Sequence, residues 1–187
     1  TTGDLFMAGE KLSVDDAVGG SAHLAGRDVS IDAPVSGTVY AFGYQIAVEQ
    51  EIGGNASLFG AEVTLDAPLA GNLRAAASEL VVSAPLSGAA ILGAEDLTLN
   101  APISGDVILG VDDVIWGEDA RVEGQLTVVS EDPEDVDVPS RVAPADRVSI
   151  VDARDWEGDK TWGQDFDPRP SGRSVALGFL MTVLSVA

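Results

Sequence analysis

The chain has 187 residues, no cysteine, one histidine and a formal net charge of −21, from 31 acids and 10 bases. So acidic a surface offers no basic face to a phosphate backbone, which excludes nucleic acid as a partner. The lack of cysteine excludes disulfides and thiolate metal sites, and charge of this size keeps a β-rich chain soluble and opposes side-by-side pairing.

From the N-terminus, Gly3, Gly20, Gly37, Gly54, Gly71, Gly88 and Gly105 recur at an unbroken interval of 17 residues, and the apolar residues around them recur with them. Seventeen residues are too few for two helices and a turn. They suit one coil of a β-solenoid with three short strands and three corners. With glycine as position one, position ten is Leu12, Val29, Ile46, Val63, Leu80, Leu97 and Val114, and position twelve is Val14, Ile31, Val48, Leu65, Val82, Leu99 and Trp116. Between them stand small or β-branched residues, so this segment alternates with the period of a half-buried strand. A second strand is predicted over positions two to five. There, positions three and five pair a larger residue with alanine in the middle coils, as in Ala22 with Leu24 or Leu73 with Ala75, keeping the volume of each coil nearly constant. Position sixteen (Val18, Val35, Ile52, Leu69, Leu86, Ile103) supplies a third inward column. Corners are expected at position one, where glycine permits positive φ, at the small position seven, and at turns of the Asp32-Ala33-Pro34 kind. The prediction is an all-β, single-stranded, three-sided parallel β-helix of about seven to eight coils over residues 1–130, with an irregular C-terminal tail.

Regularity fails after Gly105, since the next glycine of the series, Gly124, lies 19 residues on. Residues 131–173 form an acidic, proline-bearing segment with one strand-like stretch at 147–151. Two readings stand: a cap on the rod with Trp156, Trp162 and Phe166 as anchors, or a tether. Residues 174–187 carry no charge. A spanning helix needs about 20 apolar residues, and this stretch reads as the start of a membrane helix through Leu177, Phe179, Leu180, Met181, Val183 and Leu184, with a buried core segment as the alternative. The chain opens on Thr1 rather than methionine, which suits a removed signal peptide. Arg169 and Arg173 before the apolar stretch point instead to a cytoplasmic rod.

Chemistry-bearing constellations are few. Glu62, Glu79, Glu95, Asp96, Asp112 and Asp113 fall at positions eight and nine of successive coils, about 5 Å apart if the coils stack. Of these, Glu95, Asp96, Asp112 and Asp113 are the candidate ligands for a bridging calcium ion, against the plainer reading of solvated surface acids. The Gly-Gly-x-Gly-x-Asp signature of calcium-binding β-rolls is missing, and no metal or other cofactor is expected. His23 falls in an outward column with Phe6, Tyr40, Ser57, Arg74, Ile91 and Ile108. Uninterrupted coils leave no long loops to build a catalytic cleft around it, so no catalytic residue is assigned and the chain reads as a non-enzyme. Phe6, Tyr40, Phe42, Tyr44 and Phe59 cluster near one corner and form a candidate contact patch. The alternative places Phe42 and Phe59 in the core or beneath the tail.

Runs such as Gly3-Asp4-Leu5-Phe6-Met7-Ala8-Gly9, Val29-Ser30-Ile31-Asp32-Ala33-Pro34-Val35-Ser36-Gly37 and Leu97-Thr98-Leu99-Asn100-Ala101-Pro102-Ile103-Ser104-Gly105-Asp106-Val107 resemble the bactofilins, bacterial polymer-forming cytoskeletal proteins. The likeness is greatest to a membrane-associated branch with a signal peptide and C-terminal membrane helices. It covers residues 3–130, and the long tail departs from it. The resemblance implies a right-handed β-helix that self-assembles through the ends of its rod, with an extracytoplasmic solenoid held at a bacterial membrane. The expectation is therefore a non-catalytic scaffold whose partners are copies of itself and the membrane. The competing expectation is an extracytoplasmic ligand-binding solenoid for cations or polysaccharide.

Overall fold

The computed structural model describes residues 2–156. Strands β1 (Leu5–Val14), β2 (Ala22–Ile31), β3 (Val39–Phe42), β4 (Gln45–Val48), β5 (Ala56–Phe59), β6 (Glu62–Leu65), β7 (Leu73–Val82), β8 (Ala90–Leu99) and β10 (Val107–Trp116) stack in parallel. Their register follows the repeat residue for residue: Leu5 lies on Ala22, Ala22 on Val39, Val39 on Ala56, Ala56 on Leu73, Leu73 on Ala90 and Ala90 on Val107. On the third side, single parallel bridges join Val18, Val35, Ile52, Leu69, Leu86 and Ile103, and β9 (Pro102–Ile103) pairs with β11 (Arg121–Val122). The chain is thus a parallel β-solenoid of about 7 turns of roughly 17 residues.

The core is the predicted inward columns and more. Ile31, Ile46, Ile52, Leu58, Leu80 and Leu92 are all at most 1 % exposed. Position fourteen, read from sequence as part of a turn, also points inward, for Ala33, Ala67, Ala84 and Ala101 are buried. Proline follows at position fifteen without loss. Each Pro34, Pro68, Pro85 and Pro102 carbonyl accepts an N–H from the coil before (Val18, Ile52, Leu69 and Leu86), and that ladder asks for no donor at fifteen.

Two expectations about corners change. The first two strands of a coil are continuous ten-residue strands in β1, β2, β7, β8 and β10, bent at position eight, where the register passes from Gly9↔Gly26 directly to Lys11↔Asp28. They separate only in the third and fourth coils. Between them the N–H groups of Ala61 and Glu62 both donate to the Tyr44 carbonyl, each at 2.9 Å, so one residue drops out of the ladder. Moreover, none of the seven repeat glycines has a positive φ. Glycine is required for closeness instead: a Cβ on Gly37 would lie 2.6 Å from the Gly20 carbonyl oxygen, and one on Gly54 2.6 Å from that of Gly37. Glycine stacks on glycine because only bare backbones fit at this corner. Beside it runs a side-chain ladder, in which the Asn55 Oδ1 accepts the Asn72 N–H at 2.8 Å and the Asn72 Oδ1 accepts the Ala89 N–H at 2.9 Å.

The sheet does not stop at residue 130. Strand β12 (Leu126–Ser130) stacks on β10, and after residues 131–144 and a 3-10 turn (Ala145–Arg147), β13 (Val148–Asp152) stacks on β12 in parallel. Residues 131–152 therefore fold against the end of the rod. Their anchors are Val142 and Ala143, each 2 % exposed in the main core, with Val136, Val138 and Val148 packed beside them. Trp156 is half-buried, and the other two expected anchors, Trp162 and Phe166, lie outside the described residues.

Candidate functional site

A solenoid exposes two kinds of surface, its ends and its sides, and here the two ends differ. The last full coil leaves carbonyls that no further coil can reach, and three arginines meet them. The Arg141 guanidinium donates to the carbonyls of Trp116 and Gly117 at 2.8 Å each. Arg121 donates to Glu118 and Ala120, and Arg147 to Glu123 and Gly124. Trp116 Nε1 donates to the Asp137 carbonyl at 3.1 Å, tying the wrapped segment down. Five fixed donors on a planar guanidinium suit this task, since one side chain can serve two adjacent carbonyls. Close by, Arg154 bonds the Asp152 carboxylate through its guanidinium and backbone N–H, which holds that acid below the ordinary carboxylate range.

At the N-terminal end nothing comparable exists among the described residues. Strand β1 pairs only with β2, and the core residues it carries, Leu5 and Met7, are only partly buried. A Cβ on Gly3 would meet nothing within 4 Å, whereas one on every later repeat glycine would strike the coil beneath it. A ten-residue strand therefore presents a free row of backbone donors and acceptors over a partly uncovered core.

The aromatic residues form a ladder that ends at this same edge. Phe6, His23 and Tyr40 stack face to face with ring centroids 4.5 Å and 4.9 Å apart, and the rings are tilted by 4° and 11°. Phe6, at 72 % exposure, is the first rung. The sequence placed these three in one column without predicting that His23 completes the stack. Of the predicted contact patch, Phe6, Tyr40, Phe42 and Tyr44 are exposed. Phe59 is not: at 7 % exposure it is buried outside the main core, in a small cluster with Ala76 against Ile91 and Ile108. It stacks on Phe42, with ring centroids 5.2 Å apart.

On another corner Glu62, Glu79, Asp96 and Asp113 stand in direct register along β6, β7, β8 and β10, with Glu95 and Asp112 at the bend. Among the described residues no three His, Asp or Glu side chains converge as a metal centre would require. The acids run along the rod rather than around a point. The candidate membrane residues Leu177, Phe179, Leu180, Met181, Val183 and Leu184 lie outside the described residues, and among those described no helix is long and apolar enough to cross a membrane.

These features define a class: a single-stranded parallel β-solenoid with a ten-residue open edge at β1, a five-residue edge at β13 beyond a row of arginine-bonded carbonyls, and an aromatic ladder running to the β1 edge. No protein-family model matches the chain, and neither curated proteins nor solved structures give a match.

Proposed function

We propose that the chain is a non-catalytic structural module, bactofilin-like in build, that self-associates through the open edge of β1 and is held at a bacterial membrane through its C-terminal apolar stretch, with the solenoid on the outer side. The observation that carries this reading is the contrast between the ends. One row of terminal carbonyls is met by Arg121, Arg141 and Arg147, while the Leu5–Val14 edge has an uncovered core and an exposed ring, Phe6, whose outer face is the next stacking position. A second copy meeting the first edge to edge would cover Leu5 and Met7 and continue the ring ladder. The opposite end offers only the five-residue edge of β13, so pairing of the ten-residue β1 edges gives a two-fold pair and leaves no matching surface for a filament.

The ligand-binding alternative draws less support. Polysaccharide binding by aromatic residues uses ring faces, and in this ladder the faces of His23 are covered by Phe6 and Tyr40. Cation binding wants convergent oxygens, and the acidic column is linear.

Light scattering on the full chain at micromolar concentration tests the proposal. A dimer mass, and particles about twice the roughly 35 Å length that seven coils give, are expected, with reversion to monomer in Met7→Lys or Phe6→Asp. A monomer at every concentration, or stability that rises on adding calcium or glycan, refutes it.

A further inference from the structure

Position six points out of the core, between the inward position five and the bend, yet its column is apolar in all eight coils: Ala8, Ala25, Phe42, Phe59, Ala76, Gly93, Gly110 and Val129. A column free of charge and of polar groups is unexpected on the outside of a chain with net charge −21. Its exposure changes along the rod. Ala8, Ala25 and Phe42 are exposed, whereas Phe59, Ala76, Gly93 and Gly110 are buried. In β7 the three consecutive residues Ala75, Ala76 and Ala77 are all buried, where a strand with one wet face would alternate. Ala76 is 0 % exposed, and together with Phe59, Ile91 and Ile108 it forms a small apolar cluster separate from the main core. The two glycines leave a trough floored by backbone and walled by Ile91 and Ile108. No strand of the described residues lies over it.

We infer that this trough is the docking site of the chain's own residues 174–187, in competition with the bilayer. Three observations select that occupant. The segment is uncharged, like the trough, and the other uncharged runs of such length, 33–48 and 80–94, are already built into the coils. Its fourteen residues would span about 21 Å as a helix, and the buried stretch from the fourth coil to the eighth spans about 19 Å at the strand spacing of a sheet. The intervening residues 157–173 can bridge up to about 55 Å when extended, ample from the β13 end of the same sheet. The first three coils, where the column is exposed, lie furthest from that end. The same residues cannot fill the trough and a membrane at once, so the outer face of the fourth to eighth coils acts as a store for the anchor. This goes beyond the scaffold reading and does not need self-association.

Because the chain has no cysteine, Ser185→Cys in the full chain accepts one environment-sensitive fluorophore. In vesicle-free buffer its emission is expected to be blue-shifted and unchanged on dilution, and to move to the red in the Ile91→Lys/Ile108→Lys variant. Both substitutions lie on the outer face, so circular dichroism should report an unchanged β-fold. Adding phosphatidylcholine vesicles to that variant should restore the blue shift with less lipid than the parent needs. As a second measurement independent of that variant, Ile108→Cys paired in turn with cysteines at 176–182 should give an intrachain disulfide for at least one partner. Emission that ignores the trough substitutions, a blue shift seen only with vesicles, a shift lost on dilution, or no intrachain cross-link at any partner overturns the inference.

Discussion

Replacing Gly54 by alanine tests the stacking geometry at its tightest point. The added Cβ would lie 2.6 Å from both the carbonyl carbon and oxygen of Gly37 and 2.9 Å from the Thr38 nitrogen, where ordinary contact begins at 3.4 Å. All three atoms are backbone and cannot rotate away, so the fourth coil must lift at this corner. Lifting stretches the 3.0 Å bond from the Gly54 N–H to the Gly37 carbonyl. The loss of that bond, about 1 kcal/mol, adds to an overpacking cost of about 1–3 kcal/mol, giving a destabilisation of about 2–4 kcal/mol. Gly3→Ala has the same propensity change and no atom within 4 Å to strike, so it serves as the control. Urea unfolding followed by circular dichroism measures both. If Gly54→Ala costs no more than Gly3→Ala, the close approach of glycine backbones is not what fixes the repeat.

Deleting one whole unit, residues 54–70, is expected to leave a shorter folded rod, whereas deleting any five of them should abolish the cooperative melt, because each inward side chain would be carried out of its column; thermal denaturation distinguishes the two. Arg141→Ala removes donors to two terminal carbonyls and is expected to cost about 1–2 kcal/mol, with hydrogen exchange rising first in residues 116–143. Glu79→Gln relieves like charges directly opposed at Glu62 and Asp96, so stability should rise by roughly 0.2–1 kcal/mol at low salt, and the gain should vanish in 1 M NaCl. Lowering pH through the depressed titration of Asp152 should release Arg154. The pair therefore contributes above the ordinary aspartate range and is lost as the carboxyl protonates, and NMR chemical shifts of Asp152 read this directly.

The coils were legible because their information is periodic: one error in frame would put Leu58 or Val63 outside, and no copy from Gly3 to Gly105 permits it. What glycine does was less legible, since the reason lies one coil away, in the backbone of Gly37 beneath Gly54. The inward alanine at position fourteen hid inside a familiar turn motif. The arginine contacts at the far end could not be read at all from local pattern, because Arg141 reaches carbonyls at Trp116 and Gly117 from outside the repeat, and no spacing rule links them. The outer apolar column was in plain view in the sequence. Alternation nonetheless assigns position six to solvent, and only the burial of Ala76 and Gly93 sets part of the column apart.

The placement of the arginine lid beyond the last coil, not within the repeat, bears on how such a molecule changes over generations. A tandem duplication of seventeen codons anywhere between Gly3 and Gly105 adds one storey of about 4.8 Å without disturbing either extremity. Length is thus a heritable, finely graduated dimension of this molecule, and selection can treat it as a ruler.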